Sequence, residues 1–270
     1  AYKNALVFCP KHCDAYVNIG NVLKIQKNYK DAENAYLTAL QLQPNHVAAR
    51  FHWSLLLLSQ GRMKEGWIAY ESRYHPDRRE GKTIPAEMSS QLGIPQWQGE
   101  SVVGKSMLIW PEQGLGDQIQ FVRYLPLLKK RGVKYVVLVC SEPLRKIFSR
   151  IECIDKVIGE DSVSSGGIQG IDYWAFIMSL PVLFKTTLET IPNKLPYLHT
   201  TEGEKKYWAQ FLPKASFRIG LVWQGNKKNW NDYYRSLPSL KVLKDIWGFK
   251  GVSFVSLQKG AIEVDISGLP

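Results

Sequence analysis

Residues 13–46, CDAYVNIGNVLKIQKNYKDAENAYLTALQLQPNH, decide how the front of the chain is built. Tyr16, Ile19 and Leu23 recur at helical spacing, one face of a first helix. Gly20 and Ala32 are small where two helices must come close, and Pro44 stops the second helix. The same pattern extends both ways. Tyr2, Ala5 and Pro10 stand 34 residues before Tyr36, Ala39 and Pro44. Trp53, Leu57, Gly61 and Tyr70 stand 34 residues after Ile19, Leu23, Lys27 and Tyr36. A fixed period of this length marks stacked helix-turn-helix units. The last unit departs from it, with Gly66 in the place of Ala32 and Arg73 in the place of Ala39. Such a change is expected where a stack ends against something else. Ala1–Pro10 holds only the second half of a unit, and such stacks need about three, so further repeats are expected upstream.

The 13–46 stretch resembles the tetratricopeptide repeat, with nearly every signature position filled. The resemblance implies either a concave surface that recognises a protein or peptide, or a few repeats that extend the core of the next domain.

Composition narrows the classes. A chain of 270 residues, 45% hydrophobic and 22% charged, can bury a sizeable core, which excludes a disordered chain or a disulfide-stapled mini-protein. Thirty-five Lys plus Arg against 24 Asp plus Glu give +11, which points to an anionic partner such as nucleic acid, a phosphorylated ligand or an acidic surface. No recognition-helix, RNA-binding or zinc-finger motif accompanies the charge, so nucleic acid is not expected. The longest apolar runs, Tyr135–Cys140 and Tyr173–Met178, fall far short of the ~20 residues of a membrane span. Ala1–Pro10 lacks the basic start and apolar core of a signal peptide. Four cysteines (Cys9, Cys13, Cys140 and Cys153) read as reduced thiols, which makes the cytoplasm the expected compartment. Cys9, His12 and Cys13 could begin a metal site, but no second cluster follows to complete it.

After a connecting segment rich in Pro, Gly, Ser and Gln, residues 81–99, the chain changes character. Apolar runs at Met107–Trp110, Tyr135–Cys140, Lys156–Ile158 and Asp172–Phe176 read as strands. Helices are expected over Asp117–Arg131, interrupted by Pro126, and over Pro143–Arg150. Continuous apolar strands alternating with helices predict a doubly wound, Rossmann-like parallel sheet over residues 100–213. Arg218–Trp223, a helix near Ser239–Trp247 and Ser253–Leu257 open a second such unit over 214–270. Two strands and a helix cannot close a core, so this unit is expected to be incomplete. With the repeats at 1–80, the expected class is α followed by α/β.

Ligands bind beyond the carboxyl ends of strands in such sheets. Pro111–Asp117 occupies that place after the first strand, with Gln113, Gly114 and Gly116 shaping a loop that ends at Asp117. Asp117 is either a ligand-facing carboxylate or a plain helix cap. A second constellation follows Arg218–Trp223: Trp223, Gly225, Asn226, Asn231, Asp232, Arg235 and Ser236, with Lys227 and Lys228 beside them. Arginine, serine and backbone amides suit phosphate oxygens, although a basic run is also an ordinary solvated loop. Two such loops in successive α/β units favour a shared cleft.

The run Glu112–Asp117 followed by Gln120, Phe121, Arg123 and Tyr124 resembles bacterial tetratricopeptide-repeat glycosyltransferases. Trp67 with Tyr70, Glu71 and Arg73 agrees, as do Ser179–Pro181, Pro196–Leu198, Val222–Gly225 and Ser256–Gln258. The resemblance covers essentially the whole chain. It implies a repeat array before a two-Rossmann transferase of the GT-B type, similar to heptosyltransferases. It further implies Asp117 as general base, inversion at the sugar, a nucleotide-sugar donor bound near Trp223, Gly225, Asn226, Arg235 and Ser236, a protein or glycan acceptor, and no metal or other cofactor. The family's His-x-x-Gly segment, which completes the nucleotide pocket, has no counterpart here. A non-catalytic repeat scaffold is the alternative.

Overall fold

The computed structural model describes residues 2–77, 85–160, 169–227, 229 and 232–259. The chain forms two compact units, Ala1–His199 and Thr200–Pro270. In the first, helices α1 (Tyr2–Phe8), α2 (Cys13–Ile25), α3 (Tyr29–Leu42), α4 (Val47–Ser59) and α5 (Met63–Tyr70) make up the repeats. Helix α2 packs on α3, and α4 on α5. A Cβ at Gly20 would come 2.5 Å from the Tyr36 ring, so this position has to be glycine. Tyr36 is fully buried and donates to Asn21 Oδ1 at 2.8 Å. The turn inside each hairpin needs a left-handed residue, Lys27 at φ 62° in one and Gly61 at φ 77° in the next. His12 and His46, again one repeat apart, cap α2 and α4 by accepting from the Ala15 and Ala49 N–H groups at Nδ1.

Strands β1 (Ser106–Trp110), β2 (Tyr135–Cys140), β3 (Lys156–Gly159) and β4 (Tyr173–Phe176) form a parallel sheet in the order β3-β2-β1-β4. Leu108 pairs with Val137 on one side and Trp174 on the other. Met107, Ile109, Val136 and Leu138 pack against α7 (Leu115–Phe121), α8 (Leu125–Lys130) and α9 (Glu142–Phe148). The opposite face, with Leu108, Val137, Val139 and Trp174, meets Met88 of α6 (Pro85–Leu92).

Helix α6 lies inside the segment expected to be only a connection. A parallel sheet buried on both faces needs a second cover, and Pro85 in the first turn of α6 suits a helix start. Farther along that segment, Trp97 is fully buried and its backbone N–H donates to the Trp174 carbonyl at 2.7 Å. The helix expected over 117–131 is two, α7 and α8, separated by a 3-10 turn at Val122–Tyr124, with Pro126 in the first turn of α8.

The repeats end on the sheet domain. Helix α5 runs into a 3-10 turn, Glu71–Tyr74, and Tyr70 is buried in the α/β core. Trp67 meets Phe121 of α7 edge-to-face with ring centroids 5.8 Å apart. A four-residue helix, α10 (Leu180–Leu183), follows β4 and contacts α5.

In the second unit, α11 (Glu202–Ala209) opens with a reciprocal cap between Thr201 and Glu204. Because α11 belongs here, the division falls at His199 rather than at the expected residue 213. Strands β5 (Phe217–Leu221) and β6 (Val252–Ser256) pair in parallel, and the expected helix between them is a 3-10 helix, Leu240–Ile246. Among the described residues no helix is long and apolar enough to cross a membrane.

Candidate functional site

Strands β1 and β4 are neighbours, but the chain leaves β1 toward β2, so the strand order reverses between them. The loops after these strands diverge there, and doubly wound sheets hold ligands in that gap. A crevice of about 160 Å³ occupies it, between Trp110, Glu112 and Gln113 from the end of β1, Phe176 from β4, and Arg73 and Tyr74 from the end of the repeats. A wider groove of about 760 Å³ lies among Glu71, Trp97, Glu100, Arg131 and Lys185, but no residue of the Gln113–Asp117 loop lines it. Proximity to the strand-end loop, rather than volume, marks the crevice as the candidate site.

The left-handed residue of the loop is Gln113, at φ 59°, and not a glycine. Gly114 is extended at φ −89°, ψ 178°, and Gly116 lies within α7. A Cβ on Gly116 would meet nothing within 4 Å, and one on Gly114 only Asp117 Oδ2 at 3.6 Å. Neither backbone conformation nor internal packing requires these two glycines. Gly114 is the N-cap of α7, a position that glycine fills well.

Asp117 is half-buried in the first turn of α7. Its Oδ2 accepts the Gly114 N–H at 3.0 Å, satisfying one of the helix's open donors. Among the described residues Oδ1 takes no hydrogen bond. One carboxylate therefore serves as anchor through one oxygen and offers the other. Gln118, buried beside it, gives Nε2–H to Ser141 Oγ at 2.8 Å and accepts the Ser141 N–H at 3.1 Å. That pair of bonds ties α7 to the end of β2.

Behind the loop lies a buried polar network that sequence reasoning did not assemble, although its members were each visible. Arg73, 2% exposed, donates from Nε and Nη2 to the two oxygens of Glu112, each at 3.1 Å. It also donates to Glu71, to the Tyr74 hydroxyl and to Ser179 Oγ. Ser179 gives its proton to Glu71 at 2.9 Å, and the Met178 N–H bonds Glu112 at 3.2 Å. Burial holds the Tyr74 hydroxyl well above its usual range, so it stays protonated. The signal in the sequence was Arg73 itself, a charge standing where the repeat has a small residue.

In the second unit, the loop after β5 is organised by its own side chains. Ser236 Oγ accepts the Gly225 N–H at 2.8 Å and donates to Asp232 Oδ1 at 2.7 Å. A Cβ on Gly225 would come 2.7 Å from that same Asp232 oxygen. Trp223 is buried, and Gln258 after β6 bridges the loop by accepting the Trp223 and Gln224 N–H groups. Ser236 and Trp223, expected to face a donor, thus hold the loop, whereas Asn226, Lys227 and Arg235 are exposed. Gln258 was not among the expected site residues. Lys228 and Asn231 lie outside the described residues. No group of three or more His, Cys, Asp or Glu among the described residues is arranged to hold a metal ion.

Comparison with known proteins agrees with the repeats directly. A tetratricopeptide repeat model matches residues 13–46. The chain is 28% identical over 233 residues to protein FlbA of Caulobacter vibrioides, covering 81% of this chain and 38% of that protein. The chain thus spans well under half the length of this relative. Among solved structures, a variant of the Thermobaculum terrenum O-GlcNAc transferase superposes with a TM-score of 0.26 at 15% identity, over 58% of this chain and 36% of that one. A superposition that slight establishes neither fold nor activity.

Proposed function

We propose that the full-length protein is a glycosyltransferase that moves a sugar from a nucleotide-sugar donor to an acceptor hydroxyl with inversion. The observation that carries this reading is Asp117: one carboxylate oxygen is fixed by the Gly114 N–H, and among the described residues the other takes no hydrogen bond. A general base needs both a fixed position and an unoccupied acceptor. Asp117 Oδ1 takes the proton of the acceptor hydroxyl as its oxygen bonds to the anomeric carbon. The bond from that carbon to the diphosphate oxygen breaks on the opposite face, which inverts the centre. Arg235 and Lys227, exposed in the second unit, carry positive charge of the kind that suits a nucleotide-sugar diphosphate. The repeats present a protein or glycan acceptor.

The second reading, a repeat scaffold without catalysis, draws on Ser236 and Trp223, which are engaged in their own loop. Incubating the full-length protein with common nucleotide sugars separates the two. Saturable release of nucleoside diphosphate is the expected result. Neither release nor binding with any donor would leave the scaffold.

A further inference from the structure

The crevice between β1 and β4 has walls of a particular kind. Phe176 and Tyr74 stack on each other with centroids 4.5 Å apart and planes 16° from parallel, and the Arg73 guanidinium also lies over Tyr74, 3.9 Å from its centroid. Trp110 at the end of β1 is thus the aromatic side chain of the lining without a ring partner among the described residues. Trp110 is half-buried, and among the described residues its indole N–H makes no hydrogen bond. Gln113 brings an exposed amide to the rim. The crevice's one cation, Arg73, is already held by Glu112 and Glu71, so the lining has no net positive charge to offer. A diphosphate would be repelled rather than drawn in. The volume, about 160 Å³, would hold about five waters at ~30 Å³ each, or one six-membered ring.

A free indole face such as that of Trp110 suits the C–H face of a sugar, and its N–H with the Gln113 amide suits the hydroxyls. We infer that this crevice seats a single neutral pyranose ring of the acceptor. Its assignment to the acceptor rests on the transferase reading; that a sugar binds there does not. Of the Gln113–Asp117 loop only Gln113 lines the crevice, so a ring held there lies at the start of the segment that leads to Asp117.

Saturation-transfer NMR with methyl pyranosides of common hexoses tests the pocket without turnover. At least one glycoside should receive saturation at its ring C–H protons. Trp110→Leu should weaken that binding about fivefold to tenfold, the loss expected for one aromatic contact, with an unchanged circular dichroism spectrum. Should that variant fail to fold, Gln113→Asn, which tolerates the left-handed backbone, carries the comparison and should also weaken binding. Saturation of no glycoside, or binding untouched by the variants, overturns the pocket. Binding of a sugar only when linked to nucleotide overturns its acceptor assignment. If glycosides bind but the full-length protein transfers no sugar, the transferase reading fails and the pocket stands. If transfer occurs and no glycoside binds, the pocket alone fails.

Discussion

Arg73 Nε lies 3.1 Å from Glu112 Oε1, and Arg73 Nη2 lies 3.1 Å from Glu112 Oε2. This fork joins the last turn of the repeats to the residue just before the left-handed Gln113. The repeats and the sheet therefore share one compact unit, and the loop that ends at Asp117 is braced from the repeat side.

Removing one partner from a buried ion pair leaves the other charge uncompensated, which costs far more than the pair contributes. Arg73→Met should destabilise the first unit by about 3–5 kcal/mol in urea titration. Glu112→Gln, which keeps an acceptor for Arg73, should cost clearly less. Equal losses for the two would mean that shape, not charge, holds the junction.

Trp67 and Tyr70 were legible as docking residues because Gly66 and Arg73 break the repeat just where a large apolar face appears. The structure puts Tyr70 in the α/β core and Trp67 against Phe121. Trp67→Ala should cost about 3 kcal/mol. A loss of a few tenths would show that Trp67 contributes little to the junction.

Lys27 occupies a left-handed turn position that Gly61 fills one repeat later. A side chain there carries about 1–2 kcal/mol of steric strain. Lys27→Gly should therefore raise stability, by about 1 kcal/mol after the entropy of glycine in the unfolded chain is subtracted. A lower melting temperature for that variant would contradict the repeat alignment in energetic terms.

Burial pushes the thiols of Cys140 and Cys153 up to about 11. The folded state keeps these protons above the usual thiol range, whereas the unfolded chain releases them. Their contribution to stability is complete below the usual thiol range and is lost as pH rises toward about 11. Alkylation at pH 8 should modify exposed Cys9 first and Cys140 last. Early modification of Cys140 would show that β2 is not buried as described.

Much of the fold was readable because the signals were local. The 34-residue period fixed the hairpins, and the apolar runs fixed the parallel strands to within a residue or two. Helix α6 was hidden because its composition is that of a connector, and only the uncovered face of the sheet demands it. The break at Val122–Tyr124 was placed near Pro126 but not on it, since proline is comfortable in a first helical turn. The Gln113–Asp117 loop was legible as a strand-end loop. The left-handed residue could not be assigned between Gln113 and the glycines, because glycine is the usual choice and the braced Glu112 lies behind. The Arg73 network joins residues 108 positions apart in sequence, from Glu71 to Ser179, and no local pattern links them.

On the transferase reading Asp117 does more than hold the Gly114 N–H: it takes a proton. Asp117 stands at the third position of α7, behind the N-cap Gly114. Asp117→Asn retains an oxygen for the Gly114 N–H, losing only a charge near the helix N-terminus worth about 0.3–1 kcal/mol. Sugar transfer and thermal unfolding should be measured on the same preparation of the full-length variant. The account predicts that transfer falls by about two to four powers of ten while the melting temperature barely moves. Transfer that survives Asp117→Asn, alongside a fold that loses stability in Asp117→Ala, would show the carboxylate to be structural and contradict the account.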